Sequence, residues 1–197
     1  MRKVKTYRLN KHGEKNITTN FKVKEFACPT TNIVKVCRET VKILQCARNL
    51  TNGAINITSG YRTNVYNEYV GGVKNSYHIQ GIACDTYSDI VNATVLAKIY
   101  QLRGASGIGL YLDSKFVHVD TRDYKSFWIN NNGVTLVDSF LTKSEIKEIQ
   151  TILFEHYLYN YEIDGIIGAK TIKAFRLACN SKKDLLVKEE ILNVLRR

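Results

Sequence analysis

No run of apolar residues in this 197-residue chain approaches the ~18 needed to span a membrane. Met1-Arg2-Lys3-Val4-Lys5 opens on positive charge, but Lys11, His12, Glu14 and Lys15 follow where a secretory signal needs an apolar stretch. Synthesis in the cytoplasm, without a membrane partner, is the expectation. Any Cys-x-x-Cys pair is also missing. Cys28, Cys37, Cys46, Cys84 and Cys179 form an odd, scattered set, which argues against a disulfide framework and against a thiolate metal site. Gly107-Ile108-Gly109 lacks the third glycine and the strand–helix setting of a dinucleotide loop. No signature of a common nucleic-acid fold is present, so no nucleic-acid partner is expected.

What is there is the balance of a globular protein, 44% hydrophobic and 24% charged, with room for one domain and a small appendage. Net charge is +11 and unevenly spread. Residues 1–138 carry 19 Lys and Arg against 10 Asp and Glu, and the remainder 10 against 8. A basic body suits a polyanion, and charge alone does not separate nucleic acid from the anionic polymers of a Gram-positive wall.

Periodicity divides the chain. Residues 1–20 are polar and basic, an arm or loose first strand. Glu39–Leu50 has helical spacing, Ala54–Thr58 alternates as a strand, and Arg62–Val70 is a short helix stopped by Gly71-Gly72. Ile82–Tyr87 is a second strand and Ile90–Leu102 a second clear helix. Ser106–Leu112 and Lys115–Thr121 form a hairpin around Asp113-Ser114. The expected class is α+β, a small antiparallel sheet with helices on one face. Asn130-Asn131-Asn132-Gly133 is taken as the boundary, giving one domain at 1–129, a linker at 130–141 and an all-α three-helix unit at 142–197. Thr142-Lys143-Ser144-Glu145 caps the first of those helices; Thr171–Cys179 and Lys188–Leu195 are the others.

The chemistry concentrates in two stretches, Ser76-Tyr77-His78-Ile79-Gln80-Gly81-Ile82-Ala83-Cys84-Asp85 and Phe116-Val117-His118-Val119-Asp120. His78, Asp85 and His118 offer two imidazoles and a carboxylate, a set that holds a catalytic zinc and leaves a fourth position for water. A structural site would close that position, usually with cysteine. On an alternating strand Cys84 points away from Asp85 into the core, while Asp120 shares a face with His118.

With Ser59-Gly60-Tyr61-Arg62, Tyr66-Asn67 and Gly71-Gly72 upstream, these blocks resemble, in order, the zinc D-alanyl-D-alanine carboxypeptidases and L-alanyl-D-glutamate endopeptidases that cut peptidoglycan stem peptides. Asn20–Cys28 resembles the entry segment of a branch found in phage lysins. The resemblance covers about residues 20–128 and implies a hedgehog/DD-peptidase-like fold, one Zn2+ on His78, Asp85 and His118, and peptidoglycan as partner. It also implies that Arg62 binds the substrate carbonyl, an ion pair with Asp85 or a helix C-terminus being the alternative. Ser76 and Tyr61 are candidates for substrate polar groups, and Asn67 with Gly71-Gly72 for shaping the loop that delivers His78. Many relatives place an acid three residues before the third ligand, where this chain has Lys115. Asp120 then stands as the base, or as a group orienting a ligand histidine, with Asp113 a distant third. Gln150 with Asp164-Gly165-Ile166-Ile167-Gly168 and Thr171 resembles a three-helix peptidoglycan-binding module. Together these imply a monomeric, endolysin-like wall peptidase reaching its substrate through a holin pore or lysis, with anionic wall polymers as a second partner. A carboxypeptidase trimming D-alanine and a non-catalytic wall binder with a retained metal site stay open.

Overall fold

The computed structural model describes residues 3–181 and 185–197; Met1 and Arg2 of the expected arm, and residues 182–184 of the C-terminal unit, lie outside the described residues. The basic N-terminal segment is a true strand, β1 (Val4–Arg8), followed by one helical turn, α1 (Leu9–His12). β1 pairs antiparallel with β2 (Ile33–Cys37), a strand whose alternating burial the sequence reading passed over. Between them a 3-10 turn, Val23–Phe26, inserts two buried side chains, Val23 and Phe26.

α2 (Arg38–Thr51) leads into β3 (Ile55–Ser59) through Asn52 in the left-handed conformation. α3 (Asn64–Tyr69) starts where the Thr63 hydroxyl accepts the Tyr66 N–H. β4 (Ala83–Ser88) follows, then α4 (Ala93–Leu102), which begins three residues later than periodicity suggested because the Asn92 side chain caps it by accepting from Val95 N–H. The expected hairpin is β5 (Gly107–Tyr111) and β6 (Phe116–Asp120).

The sheet does not stop there. β7 (Ser126–Asn130) and β8 (Val134–Val137) form a further hairpin, and the order across the sheet is β3-β4-β6-β5-β7-β8. β5 and β7 run parallel, so the sheet is mixed and not purely antiparallel. Asn131–Gly133 is the turn of that hairpin, with Asn132 at φ 55° and Gly133 at φ 151°. The expected linker at 130–141 is thereby corrected. An Asn-Gly pair between two apolar stretches marks a hairpin as readily as a boundary.

On one face of the sheet Cys84, Thr86, Ile108, Leu110, Val117 and Val119 are buried, and α4 packs against β4, β5 and β6 there. All five cysteines are free and buried. Past the sheet come α5 (Lys143–Glu155), α6 (Ala169–Asn180) and α7 (Leu185–Arg196). Thr142 and Glu145 make the reciprocal cap read from the sequence. Gln150, fully buried, ties the Asp164-Gly165 turn to α5: its amide donates to Asp164 Oδ1 and its carbonyl accepts from Gly165 N–H, both at 2.8 Å. Gly165 needs its freedom at φ +75°, whereas Gly168 has an ordinary extended backbone.

These helices do not hang from a spacer. They pack on α2 and α4 within one continuous apolar cluster. Lys98 on α4 donates to Glu145 at 2.6 Å, Asn49 on α2 donates to Asn180 at 3.1 Å, and Ile172 closes on Gly104, where a Cβ would lie 2.9 Å from its Cδ1. Among the described residues no helix is long and apolar enough to cross a membrane.

A shared core predicts shared unfolding. Phe175 on α6 is fully buried, so Phe175→Ala should cost about 3–5 kcal/mol. Fluorescence of Trp128, the single tryptophan and a residue of β7, should register that loss in one transition coincident with far-UV circular dichroism. Two separated transitions would mean that sheet and helices unfold independently.

Candidate metal centre

Strand register builds most of the site. Asp85 on β4 lies opposite His118 on β6, His118 opposite Gly109 on β5, and Gly109 opposite Trp128 on β7. One row of side chains on the face away from α4 thus carries a carboxylate, an imidazole, a gap and an indole. His78 arrives from the loop before β4, held by backbone bonds from Arg62 N–H and Gly81 N–H to its carbonyl. That loop is shaped as expected: the buried Asn67 amide donates to Val73 O at 3.0 Å, Gly72 N–H donates to Asn67 O, and Gly71 sits at φ +71°.

His78 Nε2, Asp85 Oδ1 and His118 Nδ1 converge, with separations of 3.2 Å between the two nitrogens, and 3.2 and 3.0 Å from the nitrogens to the oxygen. An ion holding tetrahedral ligands at ~2.0–2.1 Å sets them ~3.3–3.4 Å apart, so this triangle fits one after a small expansion. Among the described residues it is the one His/Cys/Asp/Glu cluster with such convergence. The far nitrogens are also spoken for. His78 Nδ1–H donates to Gly60 O at 2.7 Å, and His118 Nε2–H donates to Asp120 Oδ2 at 3.0 Å, which leaves both lone pairs aimed at the centre.

Asp120, expected as the base or as a group orienting a ligand histidine, stands on the far side of the His118 ring from the converging atoms. It has no exposed surface, lies behind the His118 ring, and is saturated by Arg122, whose backbone N–H, Nε and Nη2 all donate to it. Arg122 in turn sits over the Tyr77 ring at 4.4 Å and the Trp128 ring at 5.3 Å. Lys115 and Asp113 are exposed in the β5–β6 turn and do not line the cleft. Arg62 does line it, with Nε on Ser59 Oγ and Nη2 on Asp85 Oδ2, the ion pair that was the alternative reading. Ser76 lines it too, its hydroxyl accepting His78 N–H. Tyr61 does not: it is packed into the core, with the Lys35 ammonium 5.6 Å over its ring.

Arg122, Trp128 and the two glycines of Gly107-Ile108-Gly109 were not anticipated. A Cβ on Gly107 would meet Asp120 Oδ2 at 2.2 Å, and one on Gly109 would meet the Trp128 indole at 2.3 Å. The alternate glycines admit the Asp120 carboxylate and let the indole lie 5.4 Å from the His118 ring. Their spacing of two on a strand is the signal that was present.

Burial alone would raise the Asp85 carboxyl, but hydrogen bonds to His118 and His78 outweigh it and hold it far below the usual range. Burial likewise pulls the His118 imidazole down, yet its bonds to Asp120 and Asp85 push it up to about 9. A value above the ordinary 6.5 stabilises the metal-free fold below that pH, and the contribution is lost as pH rises through about 9. The melting temperature of chelator-treated protein should accordingly drop more between pH 6.5 and 9 than that of His118→Gln. Asp120→Asn should weaken divalent-metal affinity about 10–100-fold in competition with a chromophoric chelator. Unchanged affinity would remove Asp120 from its orienting role.

The family model described as Peptidase M15 matches residues 19–120, which takes in all three converging residues and Asp120. No curated protein and no solved structure matches the chain. With more than half of its 197 residues inside that match, and a metal-competent His-Asp-His cluster at its centre, the chain belongs to the peptidase M15 family of metallopeptidases.

Proposed function

We propose that this protein is a zinc-dependent peptidase that hydrolyses an amide bond in the stem peptide of peptidoglycan. The observation that carries this reading is the convergence of His78, Asp85 and His118 within 3.0–3.2 Å at the base of an open cleft of about 620 Å³. Mixed nitrogen and oxygen donors in a set of three suit zinc and leave room for water and substrate. When bound, zinc would bring a water molecule's pKa toward neutrality and polarise the scissile carbonyl.

The chain's own residues do the rest. Asp120 keeps the His118 proton on Nε2, and Gly60 O keeps the His78 proton on Nδ1, so neither ring can flip its donor away. Arg62, fixed by Ser59 and Asp85, sets a guanidinium at the cleft wall where negative charge develops on the carbonyl oxygen. Ser76 steadies the loop that carries His78. We place α5–α7 in wall binding, where Tyr157, Tyr161 and Ile166 leave apolar surface exposed near the Gln150–Asp164 turn. The basic charge of residues 1–138 suits anionic wall polymers at the same surface. Release by a holin pore or by lysis would bring the chain to that wall.

One observation favours a second reading. Asp85 is the one carboxylate lining the cleft among the described residues, which leaves no acid in it to carry a proton. A wall-binding protein with a retained metal site is consistent with that.

Gram-positive walls separate the two. Turbidity should fall with zinc present, stop on chelation and resume on zinc restoration, with new amino termini inside the stem by mass spectrometry. Release of free D-alanine without clearing would make it a carboxypeptidase. Binding with neither product would establish the non-catalytic reading.

A further inference from the structure

The cleft has two lips, and both are apolar. One is the loop after α3, with Val70 43% and Val73 75% exposed; the other is the β7–β8 hairpin, with Val134 65% and Leu136 76% exposed. All four side chains line the same cavity as His78, Asp85 and His118. Exposed aliphatic surface on both sides of a charged floor asks for a partner with matching chemistry. The hairpin lies beyond Asp120, where the family match ends.

Register gives the hairpin its reach. Leu136 pairs with Trp128, Trp128 with Gly109, and Gly109 with His118, so Leu136 stands in the ligand row three strands from His118. Three strand spacings are ~14 Å, the length of about four residues of extended peptide. β8 is the last strand of the sheet, with an outer edge that no other strand pairs among the described residues. The Trp128 ring, laid over Gly109, floors the path between the two.

We propose that the β7–β8 hairpin is an extended specificity wall. It binds a peptide that continues about three to four residues past the scissile amide and places an apolar side chain against Leu136 and Val134. The inference rests on the peptidase reading and sharpens it, because a substrate ending next to the scissile bond would not reach the hairpin. Continuity of one cavity from His118 to Leu136 is what commits the occupant to the substrate itself.

The test uses the full zinc-loaded chain and synthetic peptides of two to six residues sharing one scissile pair. The longer ones carry leucine or aspartate at the third or fourth position past the scissile amide, on one side or the other. The expected result is a kcat/KM gain of at least ~10-fold on reaching the distal leucine, absent with aspartate. In the double variant Leu136→Ser, Val134→Ser the ratio of long to short substrates should fall toward one, with zinc still registered by Trp128 emission. An unchanged ratio overturns the proposal. If wild type cleaves no peptide, the peptidase reading fails on its own. Trp128 emission titrated with the uncleaved leucine peptide then decides: a response lost in the double variant upholds the wall, and no response in wild type overturns it.

Discussion

Asp85 is a carboxylate buried to 8% exposure between two imidazoles and a guanidinium, and the site is arranged around making that burial tolerable. A lone charge in that position would be neutralised by desolvation. Here Oδ1 faces His78 and His118 while Oδ2 is held by Arg62, so the charge stays and the donor atom keeps its direction. The same arrangement explains the outer partners. Each imidazole is turned toward Asp85 because its other nitrogen is engaged by Gly60 O or by Asp120. Arg122 in turn balances Asp120, whose side chain has no exposed surface. Charges alternate outward from the centre, and each is paired before the next is buried.

The sheet supplies the metric for this. Adjacent strands place register partners on one face, and that is how Asp85, His118 and Trp128 come to one row although 43 residues separate the first from the last. Gly107 and Gly109 are the cost of crowding that face, since any side chain there would collide with the Asp120 carboxylate or the Trp128 indole. The opposite face has ordinary requirements and meets them with Cys84, Ile108, Val117 and Val119 under α4.

Much of this was legible in the chain. The alternation in Phe116–Asp120 put His118 and Asp120 on one side and Val117 and Val119 on the other, as the strand does. The Thr142–Glu145 cap is a local device and formed as read. The ligand trio stood out because the motif blocks around it resemble, in order, those of the zinc wall peptidases. Boundaries fared worse wherever a local signal had two uses. The Asn-Gly turn was equally good as a hairpin tip and as a linker, and the small apolar strands on either side of it settle the matter only by pairing, β7 with β5 and β8 with β7.

By itself, then, the sequence determined the local chemistry: which strands alternate, which segments are helical, and which three side chains have the electron pairs for a metal. The first two depend on contacts within a few residues, and the third on side-chain chemistry read in motif order. Only the tertiary structure decided what those groups face. It placed Asp120 behind His118 and not before it, sent Tyr61 into the core, and brought Trp128 and Leu136 to the wall of the cleft. It also seated α5–α7 on α2 and α4 through pairs such as Lys98 with Glu145. Those outcomes turn on register and packing between segments far apart in the chain, where periodicity carries no information about partners.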